Sequence, residues 1–195
     1  MIYPGQIVTY PELILVDTGG ALFGLDGSAW FNETRTHRYL LTRTWGEGPL
    51  MTWIMLNPSK AGAETGDPTM HRCVTFAKRE GCGGIQILNL YGIQSPSPQA
   101  IRDSPDPVGA SNDMIIDDRA RGGLVVAAWG NHGAAGGRGR IVAERLTAAG
   151  VDLLCLGVTG SGQPLHPLAR GRHRVPDSAP LLPWNPPQEG AGDAA

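Results

Sequence analysis

With 195 residues the chain is the size of one ordinary domain, large enough to bury roughly 70% of the surface that its unfolded form exposes. Hydrophobic residues at 41% and charged residues at 17% exclude a disordered or fibrous protein, and no run of eighteen apolar residues exists to span a bilayer. A formal net charge of −2 argues against strong unspecific DNA binding, but six Arg lie between Arg138 and Arg174 while Asp103 to Asp118 carries five Asp, so one face is expected to be basic.

The N-terminus, MIYPGQIVTYPE, lacks the basic-then-apolar order of a secretion signal, which makes the cytoplasm the expected location and membrane contact unexpected. Residues 1–49 are expected to form a strand-rich extension, because LILVDTGGALFGL and RYLLTRTW are strand-like runs with turn glycines between them. Four further runs have strand character: Trp53–Asn57, Ile85–Asn89, Leu124–Trp129 and Leu153–Val158. Each is short and largely without polar alternation, the pattern of parallel strands covered on both faces.

Helical segments separate them. Asp67-Pro68 is an N-cap followed by proline at the first helical position, Met70, Cys73, Val74 and Ala77 recur at helical spacing, and Gly81 ends the segment. Asn112–Arg121 and Gly139–Ala149 give two more helices, the second stopped at Gly150. Alternation of strand and helix predicts an α/β fold, a three-layer α/β/α sandwich on a four-stranded parallel sheet, with extra antiparallel strands from the N-terminal segment. Residues 1–184 are expected to be a single domain and 185–195 a disordered tail, since NPPQEGAGDAA offers nothing to bury.

Cys73, Cys82 and Cys155 are odd in number and form no CxxC pair, which points to reduced core thiols. Walker, dinucleotide GxGxxG, GxSxG and HExxH motifs are absent, and the five His have no ligand spacing, so neither metal nor cofactor is expected.

Ligands of open parallel sheets bind beyond the carboxyl ends of the strands. There the chain presents Asn57-Pro58-Ser59, Asn89-Leu90-Tyr91, Trp129-Gly130-Asn131-His132 and, after the fourth run, Pro164-Leu165-His166-Pro167-Leu168. Each alone reads as turn chemistry. Their order, MLNPS, ILNLYG, VVAAWGNHG and PLHPLARG, resembles the uracil-DNA glycosylase superfamily over about Leu50 to Trp184, and the MLNPS, GDPT, AWG and HPL blocks also resemble an uncharacterised family of bacterial and phage proteins.

The resemblance implies excision of a damaged or modified base, a pyrimidine, flipped from DNA into a strand-end pocket, by hydrolysis of its N-glycosidic bond. Such an enzyme extrudes the nucleotide, holds the base by its edge and stabilises charge on the departing ring. It assigns Asn57 to water positioning and His166 to donation toward the leaving base. Asn89 would read the pyrimidine edge with its two-sided amide. Tyr91 and Phe76 are candidates for stacking, Phe76 more simply a core residue, and Pro58, Ser59, Trp129 and His132 are expected to line the pocket. Leu168 is a candidate wedge, with Arg170, Arg172 and Arg174 on phosphates. Arg138 and Arg140, in GGRGR at a helix start, form a second candidate phosphate seat. Many members of the superfamily carry Asp where Asn57 stands, so an acid such as Glu64 or Asp67 could assist, although capping already accounts for Asp67. Some relatives in that superfamily hold an iron–sulfur cluster, whose ligands this chain lacks. The expected partner is DNA and the expected state a monomer. Two alternatives stay open: an N-glycosidase on free nucleosides or nucleotides, and a non-catalytic DNA- or base-binding module of the same fold.

Overall fold

A computed structural model of the chain describes residues 10, 12–17, 26–59 and 67–187. Glu64, the tail from residue 188 onward, residues 18–25 of the first strand-like run and most of the first twelve residues lie outside the described residues.

The runs WIMLN and IQILN become the sheet centre. Strands β4 (Leu50–Met55) and β5 (Gly84–Asn89) are buried at every position and pair in parallel, Trp53 opposite Ile87 and Met55 opposite Asn89. Parallel pairing continues from β4 to β6 (Val125–Ala127) and from β6 to β7 (Leu153–Cys155). The sheet is larger and more mixed than four parallel strands. Its order is β1-β2-β3-β5-β4-β6-β7-β8, where β1 is Ile14–Asp17, β2 Asp26–Phe31, β3 Arg38–Thr44 and β8 Leu182–Pro183, and these outer strands all pair antiparallel. The N-terminal strands therefore extend the sheet instead of packing beside it. The physical reason is the open edge of β5, whose unpaired N–H and C=O groups β3 satisfies through Leu41 opposite Ile87 and Thr44 opposite Gly84.

Side-chain alternation divides the core in two. On one face Met51, Trp53, Met55, Ile85 and Ile87 pack with Met70, Cys73, Phe76 and Ala77 of α1 (Pro68–Arg79). On the other, Ile54 and Leu88 pack with Ile115 and Ile116 of α3 (Asn112–Arg119) and Val142, Ala143 and Leu146 of α4 (Arg138–Ala148). A short α2, Gln99–Asp103, precedes α3 and has no counterpart in the apolar periodicity because it buries no residue. Beneath α3 a buried polar set closes on itself: the Gln86 amide donates to Thr52 Oγ1 and the Arg119 carbonyl, both at 2.6 Å, and accepts from Arg119 Nε at 2.9 Å.

The cap of α1 forms as its residues dictate. Asp67 Oδ1 accepts from Thr69 N–H at 2.8 Å and Pro68 opens the helix. All three cysteines are free and buried, and burial raises each thiol above its ordinary pKa. Among the described residues no helix is long and apolar enough to cross a membrane.

Candidate functional site

A cleft of about 340 Å³ opens at the carboxyl ends of the parallel strands, on the α1 face. Its place follows from topology. From β4 the chain passes through α1 to β5 on one side, while from β6 it passes through α4 to β7 on the other, so the connections diverge between β4 and β6. A crevice forms at such a switch point. Backbone bonds tie the rim together: Leu90 N–H donates to the Met55 carbonyl at 2.8 Å, Ser95 N–H to Pro58 at 2.9 Å, and Gly130 N–H to Pro164 at 2.8 Å.

Asn57, Asn89 and His166 all line this cleft, with Pro58, Ser59, Trp129 and His132. The amide orientation of Asn57 is fixed by its surroundings. Nδ2 donates to the Ser95 carbonyl at 2.9 Å and faces those of Ile93 and Pro58 at 3.5 Å. Three carbonyls around one end require the NH2 group there, so Oδ1 is the end left for the cleft. Asn89 ends β5 at 2% exposure, and its side chain has no hydrogen-bond partner among the described residues.

His166 is locked in one tautomer. Its Nδ1 accepts from Leu168 N–H at 3.1 Å, so in the neutral ring the proton sits on Nε2. Burial lowers the pKa of this imidazole below its ordinary value, with Asp67 pulling weakly the other way. Burial thus favours the neutral ring, with Nε2–H as its donor. Asp67, Met70 and Cys73 bring α1 to the same cleft, and Leu41, Met55, Ile87 and Trp129 supply apolar wall.

Several expected site residues stand elsewhere. Phe76 is 1% exposed inside the α1 core, 6.0 Å from the Trp53 ring and flanked by the Arg72 and Arg79 guanidinium groups at 5.0 Å each. Tyr91 is buried on the opposite face of the sheet, its hydroxyl donating to Ala135 O at 3.3 Å. Neither borders the cleft: helical packing takes Phe76, the simpler of its two expected fates, and the chain leaves the strand before Tyr91, which is thus not placed to stack there. The GGRGR segment is engaged by contacts within the protein and does not border the cleft. Arg138 is held by Asp113 and by the Leu90 carbonyl, Arg140 pairs with Glu144, and Gly139 lies against the Trp129 ring because a Cβ there would come within 2.8 Å of Nε1.

Leu168, Arg170 and Arg174 border a second, shallower groove beside Pro68 at the start of α1, together with Arg72 and Asp177. Arg170, Arg172 and Arg174 are exposed and Leu168 is half-buried. The Arg-rich segment therefore flanks the cleft mouth.

One cleft residue escaped sequence reasoning. Arg38 opens β3 and lines the cleft at 4% exposure. Its Nη1 donates to Ser59 O at 3.3 Å, its Nε has no partner, and no carboxylate lies within ion-pair distance among the described residues. Burial first, then repulsion from Arg43, lowers its pKa to about 10, so it stays charged at pH 7. The one available signal was a charged residue opening the otherwise apolar run RYLL. Among the described residues no group of His, Cys, Asp or Glu is placed to hold a metal ion.

No curated protein and no solved structure matches the chain. The sequence model of the family described as "Protein of unknown function (DUF1643)" matches residues 38–168, about two thirds of the chain and a span that includes every described residue of the cleft. The chain belongs to that family.

Proposed function

We propose that the cleft receives a damaged or modified pyrimidine extruded from DNA and that the protein hydrolyses its N-glycosidic bond, on a three-layer α/β/α core of uracil-DNA glycosylase type. The observation that carries this reading is the convergence of Asn57, Asn89 and His166 on one cleft, with the proton of the neutral His166 ring fixed on Nε2. A volume of about 340 Å³ suits a single flipped ring.

In this scheme the amide of Asn89 meets the base edge, donating to a carbonyl and accepting from a ring N–H. His166 Nε2–H donates to the carbonyl oxygen on which leaving-group charge collects, a role typically worth about 2.7–4 kcal/mol. Asn57 Oδ1 accepts from the attacking water without serving as its base; the water oxygen bonds C1′ as the N-glycosidic bond breaks, and the proton it sheds ends on the departing base anion. Asp67 is the one carboxylate bordering the cleft among the described residues, and with Oδ1 on the helix cap it balances charge on the sugar electrostatically. Met55, Met70 and Ile87 replace aromatic rings as the walls against the base. Leu168 enters the vacated stack while Arg170, Arg172 and Arg174 meet phosphates.

The test is a panel of single- and double-stranded oligonucleotides bearing uracil, mismatched and modified bases, scored for abasic sites. His166→Ala is expected to lower base release at least tenfold with DNA affinity nearly intact, and Asn89→Ala to relax base choice. The wild-type rate should fall as pH drops through the lowered imidazole pKa, below about 6.5, because the ring then gains a second proton that the Leu168 N–H opposes. Equal release by both variants and wild type would remove the assignment.

A further inference from the structure

Arg38 is where the structure diverges most from a pocket for a neutral base. The strand pairing explains how it reaches the cleft. Trp30 lies opposite Leu40 and Phe31 opposite Arg38, so Tyr39 is an extra residue in β3. Leu40 and Tyr39 both join the core on the α3 side, and the bulge returns Arg38 to the cleft side shared by Leu41. Without that one-residue shift, alternation would send the guanidinium into the opposite core. Bulges recur where a side chain must be re-aimed at a site.

The energetic position of this group is unfavourable in the free protein. Among the described residues this cation, at 4% exposure, has one long bond to a carbonyl, an unpartnered Nε, a second arginine near enough to repel it and no close carboxylate of the kind that ordinarily compensates burial. Asp67 borders the same cleft and favours the charge from a longer distance, but it is not within ion-pair distance. Asn89, a second buried polar side chain, lines the same cleft. Guanidinium presents its donors as a planar fork matched to carboxylate or phosphate oxygens.

We propose that Arg38 is the seat for an oxyanion on the ligand, so that the cleft selects a pyrimidine carrying an acidic group over the neutral base. The identity of the ring rests on the base-excision reading; the acidic group rests on Arg38. Two sources share this chemistry: a carboxylate on the ring itself and the phosphate of a nucleotide.

The experiment is a thermal-shift series on the full chain with uracil, 5-carboxyuracil, dUMP and inorganic phosphate at matched concentrations, on wild type, Arg38→Met and Arg38→Lys. An acidic probe should raise the wild-type Tm while uracil at the same concentration does not. The shift should vanish in Arg38→Met and shrink in Arg38→Lys, which keeps the charge and loses the fork. Arg38→Met should also raise the Tm of the free protein, on the order of 2–4 °C, by removing a buried unpaired charge. A shift by 5-carboxyuracil locates the acid on the ring, and one confined to dUMP and phosphate locates it on the phosphate. Equal response to uracil and acidic probes, no response to any acidic probe, or a shift surviving in Arg38→Met overturns the inference; should Arg38→Met not fold, an undiminished shift in Arg38→Lys does so. Oligonucleotides carrying uracil or 5-carboxyuracil separate the two readings. Arg38-dependent shifts without abasic sites would sink base excision alone, and uracil release without acid preference would sink this inference alone.

Discussion

Arg138 and Arg38 are both withdrawn from water, yet the two faces of the sheet treat their charges in opposite ways. On the α3–α4 face, Asp113 accepts from Arg138 and, at 3.1 Å, from Arg145, which also donates to Asp117 at 2.7 Å. The acidic and basic stretches that look unbalanced in sequence thus fold against each other. On the cleft face Arg38 has, among the described residues, a single carbonyl partner. A paired arginine ties two helices together, whereas an unpaired one is a stability cost that a ligand can offset.

Trp129 stands where the two faces meet, and disturbing it should give the largest effect. Its ring packs edge-on to Trp184 at 5.2 Å, donates through Nε1 to Gln163 Oε1 at 3.1 Å, and lies so close to Gly133 that a Cβ there would fall 1.9 Å from the ring. Gly133→Ala is expected to cost about 3 kcal/mol by overpacking, lowering Tm by roughly 6–12 °C at this chain length. An unchanged melting curve would show that the Trp129 ring is not held as described. Asp113→Ala should come next, at about 1–2 kcal/mol, because it leaves a largely buried Arg138 with only the Leu90 carbonyl while Arg145 retains Asp117. Burial opposes the charge on Asp113, but bonds from Arg138 and Arg145 outweigh it and hold its pKa below the ordinary value. A depressed carboxyl contributes stability that is complete above the unfolded pKa, about 3.9, and fades as pH falls through the folded value. The gap between wild type and Asp113→Ala should therefore close in acid; a gap that persists at the lowest pH would assign the loss to packing.

Local chemistry was legible in the sequence and pairing geometry was not. Asp67-Pro68 announces its cap because the bond it makes spans two residues. The buried runs around Trp53 and Ile87 announce parallel strands because both faces are covered. The rim placement of Asn57, Asn89 and His166 follows from those strands. Arg38 was missed because its direction depends on a bulge defined by β2, which lies beyond any local window. Tyr91 sits two residues after Asn89, and strand alternation would put both on one face, but the strand ends at Asn89 and alternation ends with it. Phe76 already carried the better signal, four-residue helical contact with Arg72 and core neighbours at Cys73 and Ala77. The tautomer of His166 needed a backbone N–H whose position only the folded loop defines.

The smallest effects should come from the exposed arginines that the α3–α4 carboxylates do not reach. Arg170 and Arg174 border the groove beside the cleft, and each is fully solvated enough that substitution by alanine should shift stability by no more than about 0.5 kcal/mol. Against duplex DNA each substitution should weaken binding a few-fold, roughly equally across sequences, and reduce the steepness of salt dependence by about one counterion. Arg138→Met is the matching control from the other face: it should lower stability through its pairing with Asp113 while leaving the salt slope unchanged. Were Arg138→Met to flatten that slope and Arg174→Ala not to, the DNA-facing side would lie on the α4 face, and the cleft would have lost its flanking cations.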